Sequence, residues 1–205
     1  MSATNRGAVR VVGDYYPTPD WCVKAIAKKI SWCEVRTVGE PCVGDGAILR
    51  NIPKLQFFTT DIAEGTDYLK YGLPKVDLIL TNPPYNFARE FLERSLIEAR
   101  CVVYLLRINF LGSAKRKELF QKHQPTHLYV LSERPSFVDV CAGFTKTATT
   151  PKIPGCGAAY QKVAEVKVCH DCGGHVKAGT DATEYAWFAW DMDGIMEEDP
   201  GIYVL

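Results

Sequence analysis

An α/β fold built on a mostly parallel sheet is what this sequence predicts, on three observations. Short apolar, β-favouring segments alternate with amphipathic segments of helical length along most of the chain. One segment, "CVVYLL" (101–106), is near-continuously apolar, as expected of a strand covered on both faces. Three turn-rich stretches, "EPCVGDG", "TTDI" and "TNPPY", each follow or end a strand candidate. In open parallel sheets that is the rim where ligands bind.

The elements follow in order. "PTPDWCVKAIAKKI" reads as a helix, with Thr18 as its cap, proline in its first turn, and Trp21, Ala25, Ile26 and Ile30 near helical spacing. "VRTVGEPCVGDGAIL" reads as a strand running into a glycine turn and the start of a helix. "LQFFTTDI" is a second strand and "KVDLILT" a third. "NFAREFLERSLIEA" follows as a helix whose apolar face is marked by Phe87, Phe91, Leu92, Leu96 and Ile97. After "CVVYLL" come a charged helix, "SAKRKELFQKH", and another strand, "THLYVLSERP". "EYAWFAW" is the last strand. The segment 139–181 breaks the alternation: it is rich in Gly, Thr, Lys and Cys, and too long for a plain connection.

At 205 residues the chain is long enough for one complete core, so residues 1–205 are expected to form a single domain, with 139–181 inserted between two sheet strands. Hydrophobic content of 47% and charged content of 23% are those of an ordinary globular protein. Lys plus Arg and Asp plus Glu are 24 each, so net charge gives no support to nucleic-acid binding and any basic surface must be local. The N-terminal stretch lacks the apolar core of a signal peptide, and no run approaches the roughly 18 apolar residues of a membrane span. The expectation is a cytoplasmic protein without membrane contact, whose eight cysteines are thiols or metal ligands rather than disulfides.

In "EPCVGDG", Glu40 is followed by Gly44 and Gly46 around a tight turn, which lets backbone approach a ligand closely. The turn is not GxGxxG, and no Lys-Ser/Thr follows as in a phosphate loop. Asp61 ends the second strand, where an acid is placed to accept from ribose hydroxyls, and Ile62 beside it can cover an adenine face. Asp67 lies one loop further on. Taken singly, each of these acids reads equally as a surface or capping residue.

Asn82-Pro83-Pro84-Tyr85 is the sharpest signal. Two prolines fix the backbone at the end of a strand and end its ladder pairing. An amine substrate needs acceptors, which the Asn82 side-chain oxygen and the Pro83 carbonyl supply; holding the nitrogen this way readies its lone pair for in-line attack on a methyl group. Tyr85 offers a face on which a planar substrate stacks.

"GEPCVGDG", "TTDI" and "LILTNPPYN" resemble the S-adenosylmethionine-dependent amino-methyltransferases, and "YYPTPDWCVKAI" resembles their cofactor-covering N-terminal motif. The set "YPTPDW", "NPPY", "LLRINFLGSAKR", "ERPSF" and "TDATEYAWFAWD" is similar to the phage-type DNA adenine N6-methyltransferases. The resemblance implies a Rossmann-like methyltransferase sheet with an antiparallel last strand, S-adenosylmethionine as cofactor and DNA as substrate. It implies that Tyr16 and Thr18 lie over the cofactor and that Glu40, Gly44 and Gly46 hold its methionine end. Asp61 and Ile62 would take its ribose and adenine, Asp67 its base, and Asn82, Pro83, Pro84 and Tyr85 match the catalytic tetrapeptide. The same tetrapeptide occurs in enzymes that methylate RNA bases or a protein glutamine amide, so RNA and protein stay open as substrates. A different class, a zinc-bearing nucleic-acid binding module with a vestigial cofactor site, is disfavoured by the intact Asn82 and glycine turn.

A DNA base must leave the duplex to reach such a rim. Arg107, Lys115, Arg116 and Lys117, near the adjacent strand end, are candidates for phosphate contact or simply the solvated face of a helix. Arg134 and Phe137 of "ERPSF" are further candidates for the substrate side. In the insert, Cys169 and Cys172 form a C-x-x-C knuckle that, with Cys141 and Cys156, offers four thiolates for a structural zinc; His170 and His175 are spare ligands. The intervening spacings are 14, 12 and 2 residues, so only one half has ordinary zinc-knuckle form. Such a zinc would order an insert too small to build its own core, and its lysines (Lys146, Lys152, Lys162, Lys167, Lys177) are expected to contribute substrate contacts.

Overall fold

A computed structural model describes residues 17–135, 161–163, 166–168, 175–177 and 183–205. The chain runs α1 (Asp20–Ala27), β1 (Thr37–Glu40), β2 (Gln56–Thr59), α2 (Tyr68–Tyr71), β3 (Val76–Thr81), α3 (Ala88–Glu98) and β4 (Ala99–Arg107). It continues through α4 (Lys117–Lys122), β5 (His127–Val130), β6 (Gln161–Val163), β7 (Val166–Val168), β8 (His175–Lys177), β9 (Tyr185–Asp191) and β10 (Gly201–Val204). Seven strands form one sheet in the order β10-β5-β9-β4-β3-β1-β2. Every neighbouring pair is parallel except the two that involve β9. The mostly parallel α/β sheet is as the sequence reads. The antiparallel strand, however, is not the last one: β10 follows β9 and pairs parallel with β5 at the sheet edge. With Ile202 and Val204 exposed and only Tyr203 turned inward against Tyr129 (ring centroids 5.2 Å), β10 is half-buried and too short to show clear alternation.

Alternation along the central strands builds two cores. Cys101, Val103 and Leu105 of β4, with Trp187 and Ala189 of β9, face α1 and its buried Cys22, Val23 and Ile26. Val102, Tyr104 and Leu106, with Ala186, Phe188 and Trp190, face α2, α3 and α4. The indole Nε1 of Trp187 donates to the Cys22 carbonyl at 3.1 Å, tying α1 to the sheet.

Three local expectations change. Helix α1 begins after Pro19 (φ −60°, ψ 136°) with no side-chain cap, so Thr18 does not cap it. The glycine turn leads only to a 3-10 turn, Leu49–Asn51, because Ile52 is driven extended (φ −122°, ψ 164°) by Pro53 after it. On α3 the buried face is Ala88, Phe91, Leu92, Ser95 and Glu98, while Phe87 and Ile97 are exposed. Ser95 and Glu98 go inside because tyrosines meet them. The Tyr68 hydroxyl lies 2.8 Å from Ser95 Oγ and donates to Glu98 Oε2 at 2.8 Å, and the Tyr104 hydroxyl lies 2.5 Å from Ser95 Oγ. A satisfied polar network of this kind removes most of the penalty of burial.

The segment 139–181 contributes β6, β7 and β8, paired antiparallel as a separate three-stranded sheet. Cys141, Cys156, Cys169 and Cys172 lie outside the described residues, the last two in the connection between β7 and β8. Among the described residues no helix is long and apolar enough to cross a membrane.

Candidate active site

The strand order reverses at β1, with β2 on one side and β3 on the other, the kind of switch point beyond whose carboxyl ends open α/β sheets bind ligands. Glu40 is the last residue of β1, Asn82 follows the last residue of β3, and Asp61 lies just past β2. The three stretches expected on one rim are therefore brought together there. Two bonds lock the adjoining loops: Thr60 N donates to the Glu40 carbonyl at 3.2 Å, and Thr60 Oγ1 to the Pro41 carbonyl at 3.0 Å.

The turn after β1 needs left-handed backbone at Gly44 (φ 54°) and Gly46 (φ 74°), which side-chain-bearing residues adopt only with strain. Gly44 N donates to Asp61 Oδ2 at 2.7 Å, while Asp61 Oδ1 accepts from Ala63 N at 2.8 Å and so caps the 3-10 turn Ile62–Glu64. One carboxylate thus couples the β1 and β2 loops. Arg50 braces the turn from outside. Its Nη1 donates to the Asp45 carbonyl (2.8 Å), and its Nη2 pairs with Asp45 Oδ2 (3.1 Å) and with Asp20 Oδ1 (2.8 Å) at the head of α1.

Glu40 is 1% exposed, and its Oε2 has no hydrogen-bond partner among the described residues. Burial, then repulsion from Asp45 and Asp61, only partly offset by Arg50, pushes its carboxyl up to about 9. At neutral pH the group is protonated, and a cation brought beside it would restore its charge.

Asn82 is half-buried, and its Nδ2 donates to Thr18 Oγ1 at 3.1 Å. The Pro84 carbonyl accepts from Phe87 N at 2.9 Å, closing the 3-10 turn Tyr85–Phe87. The Tyr85 ring is tilted against Tyr185 (centroids 6.0 Å, 44°). The Arg107 guanidinium sits 5.2 Å from the Tyr85 centroid and 5.9 Å from that of Tyr185, with Arg107 Nε donating to Tyr185 Oη at 3.1 Å. Arg107 and Tyr185 are register partners across β4 and β9.

Other expected site residues are placed as follows. Ile62 is 77% exposed beside Asp61, an apolar side chain left facing solvent at the rim. Asp67 caps α2, accepting from Leu69 N at 2.9 Å. Lys115 is exposed. Arg116 is turned inward, donating to the Phe110 (2.6 Å) and Asn109 (3.1 Å) carbonyls and lying over the Phe110 ring. Arg107 likewise backs the tetrapeptide, so the basic stretch does not form one phosphate-facing cluster. Arg134 pairs with Glu184. Tyr16, Phe137 and the four cysteines lie outside the described residues. Two participants, Arg50 and Tyr185, have no signal of their own in the sequence; Tyr185 is found only once the β4–β9 register is known.

No protein-family model matches the chain, and no curated protein matches it in sequence. Its fold is similar to that of a proposed class I S-adenosylmethionine-dependent methyltransferase from Listeria monocytogenes, with a TM-score of 0.53 at 9% identity, covering 97% of this chain and 67% of that one. Looser matches are a precorrin-6y C5,15-methyltransferase from Geobacter metallireducens (TM-score 0.43, 12% identity, 92% and 100% covered) and a proposed RNA methyltransferase from Pyrococcus horikoshii (TM-score 0.40, 11% identity, 86% and 86% covered). The likeness in fold rests on the first: this chain has the sheet architecture of a class I S-adenosylmethionine-dependent methyltransferase.

Proposed function

We propose that the protein transfers a methyl group from S-adenosylmethionine to the exocyclic N6 amine of adenine in DNA. The observation that carries the reading is the position of Asn82-Pro83-Pro84-Tyr85 at the switch-point rim, beside the glycine turn and Glu40. The site fits the cofactor. A buried carboxyl whose Oε2 has no partner among the described residues suits its cationic methionine end, the left-handed turn at Gly44 and Gly46 lets backbone approach it, and exposed Ile62 offers a cover for its adenine. When bound, the cofactor supplies an electrophilic methyl group on a sulfonium sulfur.

The chain's own residues do the rest. Asn82 Oδ1 and the Pro83 carbonyl accept hydrogen bonds from the amine and aim its lone pair at the methyl carbon. With the amine so held, its nitrogen would take the methyl group from the sulfonium, whose sulfur would keep the bonding pair, and would then release a proton to water. Tyr85, braced by Arg107 and Tyr185, stacks on the base. Lys115 and Lys117, both exposed, are assigned to backbone phosphates in preference to the inward-turned Arg116. A structural zinc on Cys141, Cys156, Cys169 and Cys172 belongs to the same reading on sequence grounds. Loss of zinc content and of DNA affinity in a Cys169→Ser/Cys172→Ser variant would support it, and retention of both would remove it.

The test is transfer of labelled methyl from S-adenosylmethionine to DNA, to RNA and to protein. We expect label on DNA adenine, and a loss of about 100- to 1,000-fold in Asn82→Ala, the scale seen when one oriented polar group is removed from an active site. Label on RNA alone or on a glutamine amide would move the substrate; an undiminished Asn82→Ala would overturn the mechanism.

A further inference from the structure

We propose that the cofactor site exchanges a proton for its ligand: Glu40 is neutral in the ligand-free protein and ionised once a ligand's ammonium group docks beside it, so each such binding event releases one proton. The inference rests on reading this rim as the S-adenosylmethionine site. It adds which cation Glu40 answers to and how pH sets the affinity.

Among the described residues Glu40 has no ionic partner of its own. Its side chain is buried at the carboxyl end of β1, an interior strand paired with β2 and β3, and Oε2 accepts no hydrogen bond there. The charged groups that act on it are Asp45 in the glycine turn, Asp61 past β2, and Arg50 beyond the turn. Two of the three are acids. Arg50 is committed to Asp20 Oδ1 and to the carbonyl and carboxylate of Asp45. The Cys42 thiol, close by on the same loop, is pushed up by burial and stays neutral. A carboxylate withdrawn from water with neither cation nor donor is far less stable than the acid, so the ligand-free side chain keeps its proton. The upward push on the Glu40 carboxyl agrees with this.

Beside an ammonium group the balance reverses. Glu40 gains a positive charge and N–H donors, the two things that Oε2 lacks, and its ionised form becomes the favoured one. The carboxyl proton passes to solvent as an ammonium N–H takes its place at Oε2. A sulfonium carries charge but no N–H, so it does not satisfy the oxygen. S-adenosylmethionine and its demethylated product share the ammonium group, and the exchange should be the same for both. Glu40 thus reads the amino-acid end of the ligand and not the methyl group.

The experiment titrates wild type and Glu40→Gln with S-adenosylmethionine, with S-adenosylhomocysteine and with methylthioadenosine, which lacks the amino-acid end. Calorimetry at pH 6.5 in two buffers of different ionisation enthalpy gives the number of protons released per ligand bound. At that pH a ligand amine with an ordinary value of about 7.7–8.0 stays mostly charged. The first two ligands should each release about one proton from wild type and about none from Glu40→Gln, and methylthioadenosine should release about none from either. The wild-type Kd for S-adenosylhomocysteine should fall by up to about tenfold from pH 6 to pH 7, and that of Glu40→Gln by less than about twofold. Binding to wild type without proton release overturns the proposal, as does equal release from the two proteins. Release with S-adenosylmethionine alone, or with methylthioadenosine as well, overturns the assignment to the ammonium group. Should Glu40→Gln fail to fold or to bind, the wild-type proton counts for the three ligands and the pH dependence of Kd carry the same comparison. If wild type binds none of the three, the cofactor reading itself has failed, an outcome distinct from binding without proton release.

Discussion

Glu40 and Asp77 are acids on neighbouring parallel strands, Glu40 at the carboxyl end of β1 and Asp77 at the amino end of β3. At Asp77, burial raises the carboxyl's affinity for a proton, but four bonds outweigh it. Oδ2 accepts from Arg36 N (2.9 Å), Thr37 N (3.0 Å) and Thr37 Oγ1 (3.0 Å), and Oδ1 from Arg100 (3.0 Å), holding the group down to about 2. Glu40 is more deeply buried, has no partner at Oε2 among the described residues, and is pushed up to about 9. Two ends of one pair of strands thus treat the same chemical group in opposite ways. The amino end uses its acid to seal the sheet; the carboxyl end leaves one unsatisfied in a place that a cationic ligand would complete.

The largest effect expected from breaking this contrast is at Glu40. Its folded value lies above the ordinary 4.5, so the folded protein holds a proton that the unfolded chain releases. Its contribution to stability is therefore fully present below pH 4.5 and lost as pH rises toward 9. Glu40→Gln keeps the neutral shape and does not titrate. It should stabilise the ligand-free protein by about 2–3 kcal/mol at pH 7, with no gain near pH 4. The same variant should bind S-adenosylmethionine more weakly. Thermal unfolding across pH with calorimetric titration checks both; equal stability of the two proteins at all pH would mean that Glu40 is satisfied after all.

At the other end the sign reverses. The folded value of Asp77 lies below its ordinary 3.8, so its stabilisation is present above that pH and disappears as pH falls through about 2. Asp77→Asn should destabilise the protein by about 1–2 kcal/mol at pH 7, discounted because the side chain retains some solvent contact, and the gap should close on acidification. Denaturant unfolding at pH 7 and pH 3 measures it. Methyl transfer by the folded variant should be unaffected, since the group lies at the far end of the sheet from the rim.

Much of the rim was legible because each piece is a contiguous motif at a strand end: "EPCVGDG", "TTDI" and "TNPPY" each carry their own turn chemistry. What was not legible depends on residues far apart in the chain. The bond from Asn82 to Thr18 spans 64 positions, and the pairing of Arg107 with Tyr185 needs the register of an antiparallel strand that returns after a long insert. The buried face of α3 departs from its apolar pattern for the same reason. Ser95 and Glu98 look like surface residues until Tyr68 and Tyr104 arrive from other elements to satisfy them.

The smallest expected effect bears on whether the rim's cation is structural or functional. Arg107 is half-buried at the end of β4, with its guanidinium against two tyrosine rings rather than in open solvent. Contacts of this kind are worth about 0.5–1 kcal/mol where exposed and up to about 2 where desolvated. Replacing Arg107 by Met keeps apolar bulk against the rings and removes both the charge and the bond to Tyr185 Oη. If the arginine holds Tyr85 at the angle a stacked base requires, Arg107→Met should lower kcat/KM for methyl transfer about 5- to 10-fold while unfolding free energy falls by no more than about 1 kcal/mol. Tyr185→Phe removes the same bond from the other side and should reproduce part of that loss. A reduction confined to stability would place Arg107 with Asp77, among residues that close the sheet; a loss confined to transfer would place it with Glu40 and Asn82 at the rim.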